Sequence, residues 1–161
     1  MPVIAVTGHM GLTPATARAV RAALDAQLAP YPAGELTGLS CLAPGADTLF
    51  ADAVLARGGR LIAVLPGPAY PGPQAAAAEA DFVRLRAAAD RVLTLPAAVI
   101  DDAAYVAANA ELLALADELI AVWDGRPGNG PGGTADMVAA ARAAGVPVHV
   151  LWPPGSARTS S

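Results

Sequence analysis

The sequence predicts a single α/β domain: a doubly wound, mostly parallel sheet of about six strands with helices on both faces, Rossmann-like in layout. Three observations carry this. Short aliphatic runs alternate with alanine-rich helical stretches along the whole chain. The runs are unbroken rather than alternating, as strands covered on both faces should be. Glycine- or proline-rich turns separate the runs from the helices that follow.

The elements follow in order. "PVIAVTG" (2–8) is β-branched and reads as the first strand. Thr13 and Pro14 supply a cap and a first helical residue for a helix to about residue 29, ending before "PYPAG". "LTGLSCLA" (36–43) is the second strand, and "PGAD" opens a helix that runs to about Arg57, where "GG" stops it. "RLIAVLP" (60–66) is the third strand. "GPAYPGP" (67–73) is too rich in proline for regular structure, and "QAAAAEADFVRLRAAA" (74–89) is helical by propensity. "RVLTLP" (91–96) is a fourth strand, and residues 101–117 form a helix whose acidic start suits its dipole. "ELIAVWD" (118–124) is the fifth strand. A loop with five glycines and two prolines follows, then the helix "TADMVAAARAA" and a last strand "VPVHVLW" (146–152). The domain spans 1–153, and residues 154–161 are expected to be a mobile tail with nothing to bury.

Composition narrows the function classes. Mean hydropathy is +0.46, yet much of the apolar count is alanine. No apolar run reaches the roughly eighteen residues a membrane span needs. The start of the chain lacks the charged region and cleavage site of a signal peptide, so a cytoplasmic location is expected. Net charge is −4, all ten basic residues are arginine, and no basic cluster occurs, so nucleic acid is not an expected partner. Cys41 has no second cysteine to pair with and reads as a core residue. His9 and His149 offer no metal-ligand spacing, and no metal is expected. Homodimers or larger homo-oligomers are compatible with the alanine-rich helices.

In an open α/β sheet, ligands bind at the carboxyl ends of the strands, so the loops there carry the functional signal. "TGHMGL" (7–12), "APGAD" (43–47), "PGPAYPGP" (66–73) and the loop after Asp124 are all glycine- or proline-rich. Glycine ahead of a helix start lets backbone N–H groups approach a phosphate. The dinucleotide spacing G-x-G-x-x-G is absent and a chain without lysine has no Walker A motif, so neither hydride nor phosphoryl transfer is expected, nor any cofactor.

"VTGHMGL", "APGADTLFADAVLARGG" and "ADELIAVWDGRPGNGPGGTADMVAAAR" together resemble the SLOG superfamily of Rossmann-like nucleotide-binding domains, which includes DprA and the lonely guy phosphoribohydrolases. The resemblance spans nearly the whole chain and implies that these loops bind a nucleotide or a nucleotide-derived ligand. Phosphoribohydrolases of this group carry P-G-G-x-G-T-x-x-E. Here Thr134 follows "PGG" directly, and Met137 stands where the glutamate would. The family's catalytic arginine falls on Ala108, and the arginine that usually follows "TGH" is Met10.

The expected ligand-binding residues are Thr7, Gly8, His9, Met10, Gly45, Asp47, Tyr70, Asn109, Asp124, Gly125, Arg126, Gly132, Gly133, Thr134 and Asp136. Phosphate is expected on the backbone of "GHMG" and "GGT", with Arg126 as its cation. Asp47, Asp124 and Asp136 would address ribose or base, and Tyr70 would stack on the base. Asn109 would either bond backbone or line the pocket. The function this predicts is nucleotide binding without a recognisable catalytic apparatus. The alternatives are an N-glycosidase or phosphoribohydrolase using a relocated carboxylate, of which Asp136 is the nearest, and an interaction module with a vestigial pocket.

Overall fold

The computed structural model describes residues 2–128 and 130–159. Six strands, β1 (Val3–Gly8), β2 (Thr37–Ser40), β3 (Arg60–Leu65), β4 (Arg91–Thr94), β5 (Glu118–Val122) and β6 (Val148–Val150), form one sheet. Every pairing in it is parallel, and the order is β4-β3-β2-β1-β5-β6. Between the strands lie α1 (Pro14–Leu28), α2 (Ala46–Ala56), α3 (Ala76–Ala88), α4 (Asp102–Leu115) and α5 (Thr134–Ala143), with a short 3-10 turn at Ala33–Glu35. The predicted class is confirmed, and the sheet is wholly parallel.

Side-chain alternation along the strands assigns the layers. Ile4, Val6, Ile120 and Val122 pack with Val20, Leu24 and Leu28 of α1 and Phe50 and Val54 of α2. Leu61, Ala63 and Leu65 of β3 point the same way, toward Phe82 and Leu85 of α3. Ala5, Leu39, Val64 and Leu119 face the other side, against Leu112 of α4 and Met137 and Ala141 of α5. This is the arrangement right-handed crossovers require. Steps from β1 to β4 run one way and place α1–α3 on one face; the return to β5 and β6 places α4 and α5 on the other.

Local chemistry fixes the helix starts. The Thr13 side chain accepts the Thr16 N–H at 3.3 Å, with Pro14 in the first turn, and the Asp101 side chain accepts the Ala104 N–H at 3.0 Å. On α1 the residues Thr16, Val20, Leu24 and Leu28 form one buried stripe; burying each leucine is worth about 1.5–3 kcal/mol. β2 stops at Ser40, earlier than its aliphatic run suggests. Leu42 takes a φ of 58°, held there by burial and by its N–H bond to Ser40 Oγ at 3.0 Å. Near the amino end of β5, Glu118 accepts from Tyr31 Oη at 2.7 Å and pairs with His149 at 3.0 Å, which gives His149 a structural place.

Of the segment expected to be a tail, residues 154–159 are described and 160–161 lie outside the described residues. Residues 157–159 lie antiparallel to residues 11–13: Thr13 N–H donates to Ala157 O (3.3 Å) and Thr159 N–H to Gly11 O (3.1 Å), with Leu12 and Arg158 bridged between them. Ala157 N–H also donates to Thr16 Oγ1 at 2.8 Å. Small groups on both strands allow the approach. Thr159 Oγ1 occupies the space a side chain at residue 11 would need, and only glycine leaves it open. Among the described residues no helix is long and apolar enough to cross a membrane.

Candidate ligand-binding edge

The strand order puts the topological switch point between β1 and β5, where successive crossovers leave in opposite directions. The loop after β1 (9–13) and the glycine loop after β5 (123–133) border that crevice.

His9 ties the two strands together. Its N–H donates to Val122 O at 3.1 Å, and its carbonyl accepts the Ala46 N–H from the start of α2 at 3.1 Å. The ring stands edge-on to Trp152, centroids 5.4 Å apart. Nε2 accepts the Asp124 N–H at 3.1 Å and lies 3.3 Å from Asp124 Oδ1. Only a neutral imidazole can accept that N–H. Burial, aided by the nearby Arg158 charge, lowers the His9 pKa, and Asp124 offsets this only in part. Asp124 Oδ1 also accepts the Arg126 N–H at 3.0 Å, while Oδ2 lies 3.9 Å from Arg158 Nη1. Burial pushes the Asp124 carboxyl up, but the Arg126 N–H, His9 and Arg158 together hold it below its ordinary value. Arg126 itself points to solvent, and its carbonyl accepts the Trp123 indole N–H at 2.9 Å.

Gly8 and Gly45 serve the packing of this junction. A Cβ at Gly8 would lie 2.5 Å from Ala46 Cβ and 2.8 Å from Val122 Cβ. Gly45, at φ 84°, carries the chain past the carbonyls of His9 and Met10 with no room for a side chain. Thr7 pairs in register with Ala121, one residue before the edge. Met10 is 63% exposed and borders a concavity of about 290 Å³ shared with Leu12, Pro44, Gly45 and Leu49. A larger groove of about 600 Å³, between residues 95–99 and α4, contains none of the predicted site residues.

Asp47 sits in the first turn of α2, buried, and accepts the Ala43 N–H at 3.3 Å. Burial pushes its carboxyl up to about 7. It also lies close enough to Cys41 and Tyr70 to add to what burial does, raising both of their pKa values. Tyr70, expected to stack on a base, is only 6% exposed, its ring edge-on to Phe82 and Tyr105. Tyr105 is the ring of this group that reaches solvent, at 38% exposure.

The glycine loop is shaped by its own bonds. Asp136, in the first turn of α5, reaches back to accept the Gly132 N–H at 3.0 Å. Gly133 N–H donates to Gly130 O at 3.3 Å, and Asn109 Nδ2 donates to Gly132 O at 3.3 Å. Gly132 and Gly133, both expected to cradle phosphate, are therefore engaged, as is the His9 N–H of the other loop. Gly133 makes no side-chain cap, so the N–H groups that begin with Thr134 remain the α5 donors. Within the same loop Asn129 lies outside the described residues.

The predicted residues thus gather in two groups flanking the switch point. His9, Asp124 and Arg126 stand on the β6 side. Asn109, Gly132 and Asp136 are bonded together beside Tyr105 of α4, Tyr70 meets Tyr105 edge-on, and Asp47 lies near Tyr70 at the start of α2, a helix of the opposite face. Trp152, Arg158 and Tyr105 complete them and were not singled out from sequence; for Arg158 the one signal available was that it is the only charged residue after β6. Among the described residues no group of three or more His, Cys, Asp or Glu side chains is placed to hold a metal.

No protein-family model matches the chain, and comparison with curated proteins finds no match. Solved structures do match. DNA processing protein A from Helicobacter pylori, in a structure describing its single-stranded DNA binding mode, is 18% identical with a TM-score of 0.68, covering 98% of this chain and 68% of its own. DNA processing protein A from Streptococcus pneumoniae is 20% identical with a TM-score of 0.62, covering 93% of this chain. This chain spans only 50% of that protein's length. The Moco carrier protein from Chlamydomonas reinhardtii is 25% identical with a TM-score of 0.56, covering 95% of this chain and 78% of its own. What these similarities show is the Rossmann-like fold that the chain shares with these proteins.

Proposed function

We propose that this SLOG-type chain binds a nucleotide or nucleotide-derived small molecule at the carboxyl edge of its sheet, in the crevice between β1 and β5. The observation that carries the reading is the switch point itself, bordered by two glycine-rich loops, one of which opens into a helix without a side-chain cap. Phosphate would rest on the α5 N–H groups from Thr134 onward. Ribose and base would extend toward Tyr105, Asn109 and Asp47. Relatives of this fold that carry a molybdenum cofactor or bind single-stranded DNA make such a ligand a natural one for the edge.

Binding without cleavage is favoured because each carboxylate at the crevice already has a task. Asp136 holds the glycine loop and Asp124 holds Arg126 and faces His9. A hydrolase reading would have Asp136 release Gly132 to act on a sugar. A thermal-shift series with nucleoside mono-, di- and triphosphates, NAD and a short single-stranded oligonucleotide tests the proposal. A ligand at a hundred times its Kd adds about 2.7 kcal/mol, roughly 5–11 °C for a domain of this size. No shift with any of them refutes nucleotide binding; free base released from AMP or CMP would replace it with the hydrolase.

A further inference from the structure

The strap formed by residues 157–159 does more than close the surface over α1. Its backbone is fixed to the β1–α1 loop by the Thr13–Ala157 and Thr159–Gly11 bonds and to α1 by the Ala157–Thr16 bond. Arg158 lies between these anchors, and its side chain crosses to the switch point. There Nη1 stands 3.9 Å from Asp124 Oδ2, and the guanidinium is close enough to His9 to lower its basicity.

That position is unusual for an arginine whose partner is only Asp124. The separation exceeds hydrogen-bond length, and Asp124 Oδ1 is already engaged by the Arg126 N–H. The guanidinium makes no hydrogen bond to a described residue and is 42% exposed. The strap's backbone bonds thus hold a planar set of five donors at the crevice, none of them hydrogen-bonded to a described residue. Among the described residues the charged groups bordering the β5–α5 loop include Asp124, Asp136 and Asp102, which would repel an anion, and Arg126, which is exposed.

We propose that Arg158, delivered by the strap, is the anion-binding side chain of this edge and pairs with a phosphate of the bound ligand. The assignment rests on the nucleotide-binding reading above. Asp124 orients the guanidinium in the free protein, and a phosphate with two oxygens to offer takes it in the bidentate geometry that arginine favours. The site would then be built from both ends of the domain, with the cation supplied by a segment that folds back over "HMGL".

The test uses the full chain and titration calorimetry with whichever of AMP, CMP, GMP and UMP binds most tightly, alongside its uncharged nucleoside. Arg158→Gln should raise the Kd for the monophosphate roughly tenfold to a hundredfold, the loss of charge-assisted hydrogen bonds, and leave the nucleoside unchanged. Arg158→Lys should recover part of the affinity and Arg126→Gln should cost little. The strap bonds are backbone bonds, so the melting temperature of Arg158→Gln should stay within a few degrees of the parent. Equal loss of monophosphate and nucleoside would make Arg158 a structural residue and overturn the proposal. So would monophosphate affinity that stays unchanged or rises. If the parent protein binds none of the four, the di- or triphosphate or NAD that stabilises it takes the monophosphate's place; if none of these stabilises it either, the nucleotide reading itself has failed and the assignment falls with it.

Discussion

Gly125 and Gly132 lie in the same loop at the same φ of 82°, but an added Cβ would meet a described neighbour at only one of them. Alanine at Gly125 would meet no described atom within 4 Å. It carries the left-handed penalty of about 1–2 kcal/mol, reduced by the entropy alanine removes from the unfolded chain, for a net loss of about 1 kcal/mol. Alanine at Gly132 carries the same penalty and also places its Cβ 2.7 Å from Tyr105 Cβ. Carbon atoms prefer roughly 3.5–4 Å, so the loop must move about 1 Å away from α4. That movement breaks or stretches the Asn109–Gly132 and Gly132–Asp136 bonds, each worth about 1 kcal/mol. The expected loss is about 3 kcal/mol, a fall in melting temperature of roughly 6–12 °C against roughly 2–4 °C for Gly125→Ala. Calorimetric scans of the two variants measure the difference directly. If they melt within about 2 °C of each other, the loop is not clamped on α4 and the argument that α4 shapes it is wrong.

Two further predictions concern protons. Asp47→Asn keeps an acceptor for the Ala43 N–H but cannot ionise. Because burial raises the folded-state value from 3.8 to about 7, the native acid loses stability as pH rises through that window. The asparagine variant should therefore gain on the parent between pH 4 and 8 by up to about 4 kcal/mol, measured by urea denaturation; a gain independent of pH would refute the cause. His9 has the opposite sign: its folded-state pKa is lowered, so the stability it contributes is present above 6.5 and is lost as pH falls below that. His9→Gln should flatten that part of the profile, and an unchanged slope between pH 7 and 5 would show that the ring does not titrate in contact with Asp124.

Much of the fold was legible because its determinants are local. Thr13 and Pro14 announce α1, "GG" ends α2, and the aliphatic runs fall on strands buried from both sides. Where the boundaries moved, a longer-range cause took over, as at Leu42, whose left-handed backbone depends on Ser40 Oγ and on burial under α2 and α3. The site was legible as a set of loops but not as a set of partners. Asp136 beside a glycine loop reads as a free acid until the loop is seen to use it. Tyr70 and Tyr105 are the same residue type, and only tertiary packing decides which is covered. Arg158 was the least legible, since nothing in "PPGSARTSS" signals that it returns to residues 11–13.

The strap also divides the amides of one short loop into two classes of opening. His9 N–H, bonded to Val122 O, can reach solvent only if β1 parts from β5, a rupture of the sheet. Thr13 N–H, four residues on, is protected by Ala157 O and needs only the strap to lift. In native-state hydrogen exchange the two should differ widely in protection, and an anion bridging Arg158 to the crevice should slow Thr13 far more than His9. The loop thereby carries its own internal reference for occupancy: one amide that reports the fold and one that reports the ligand.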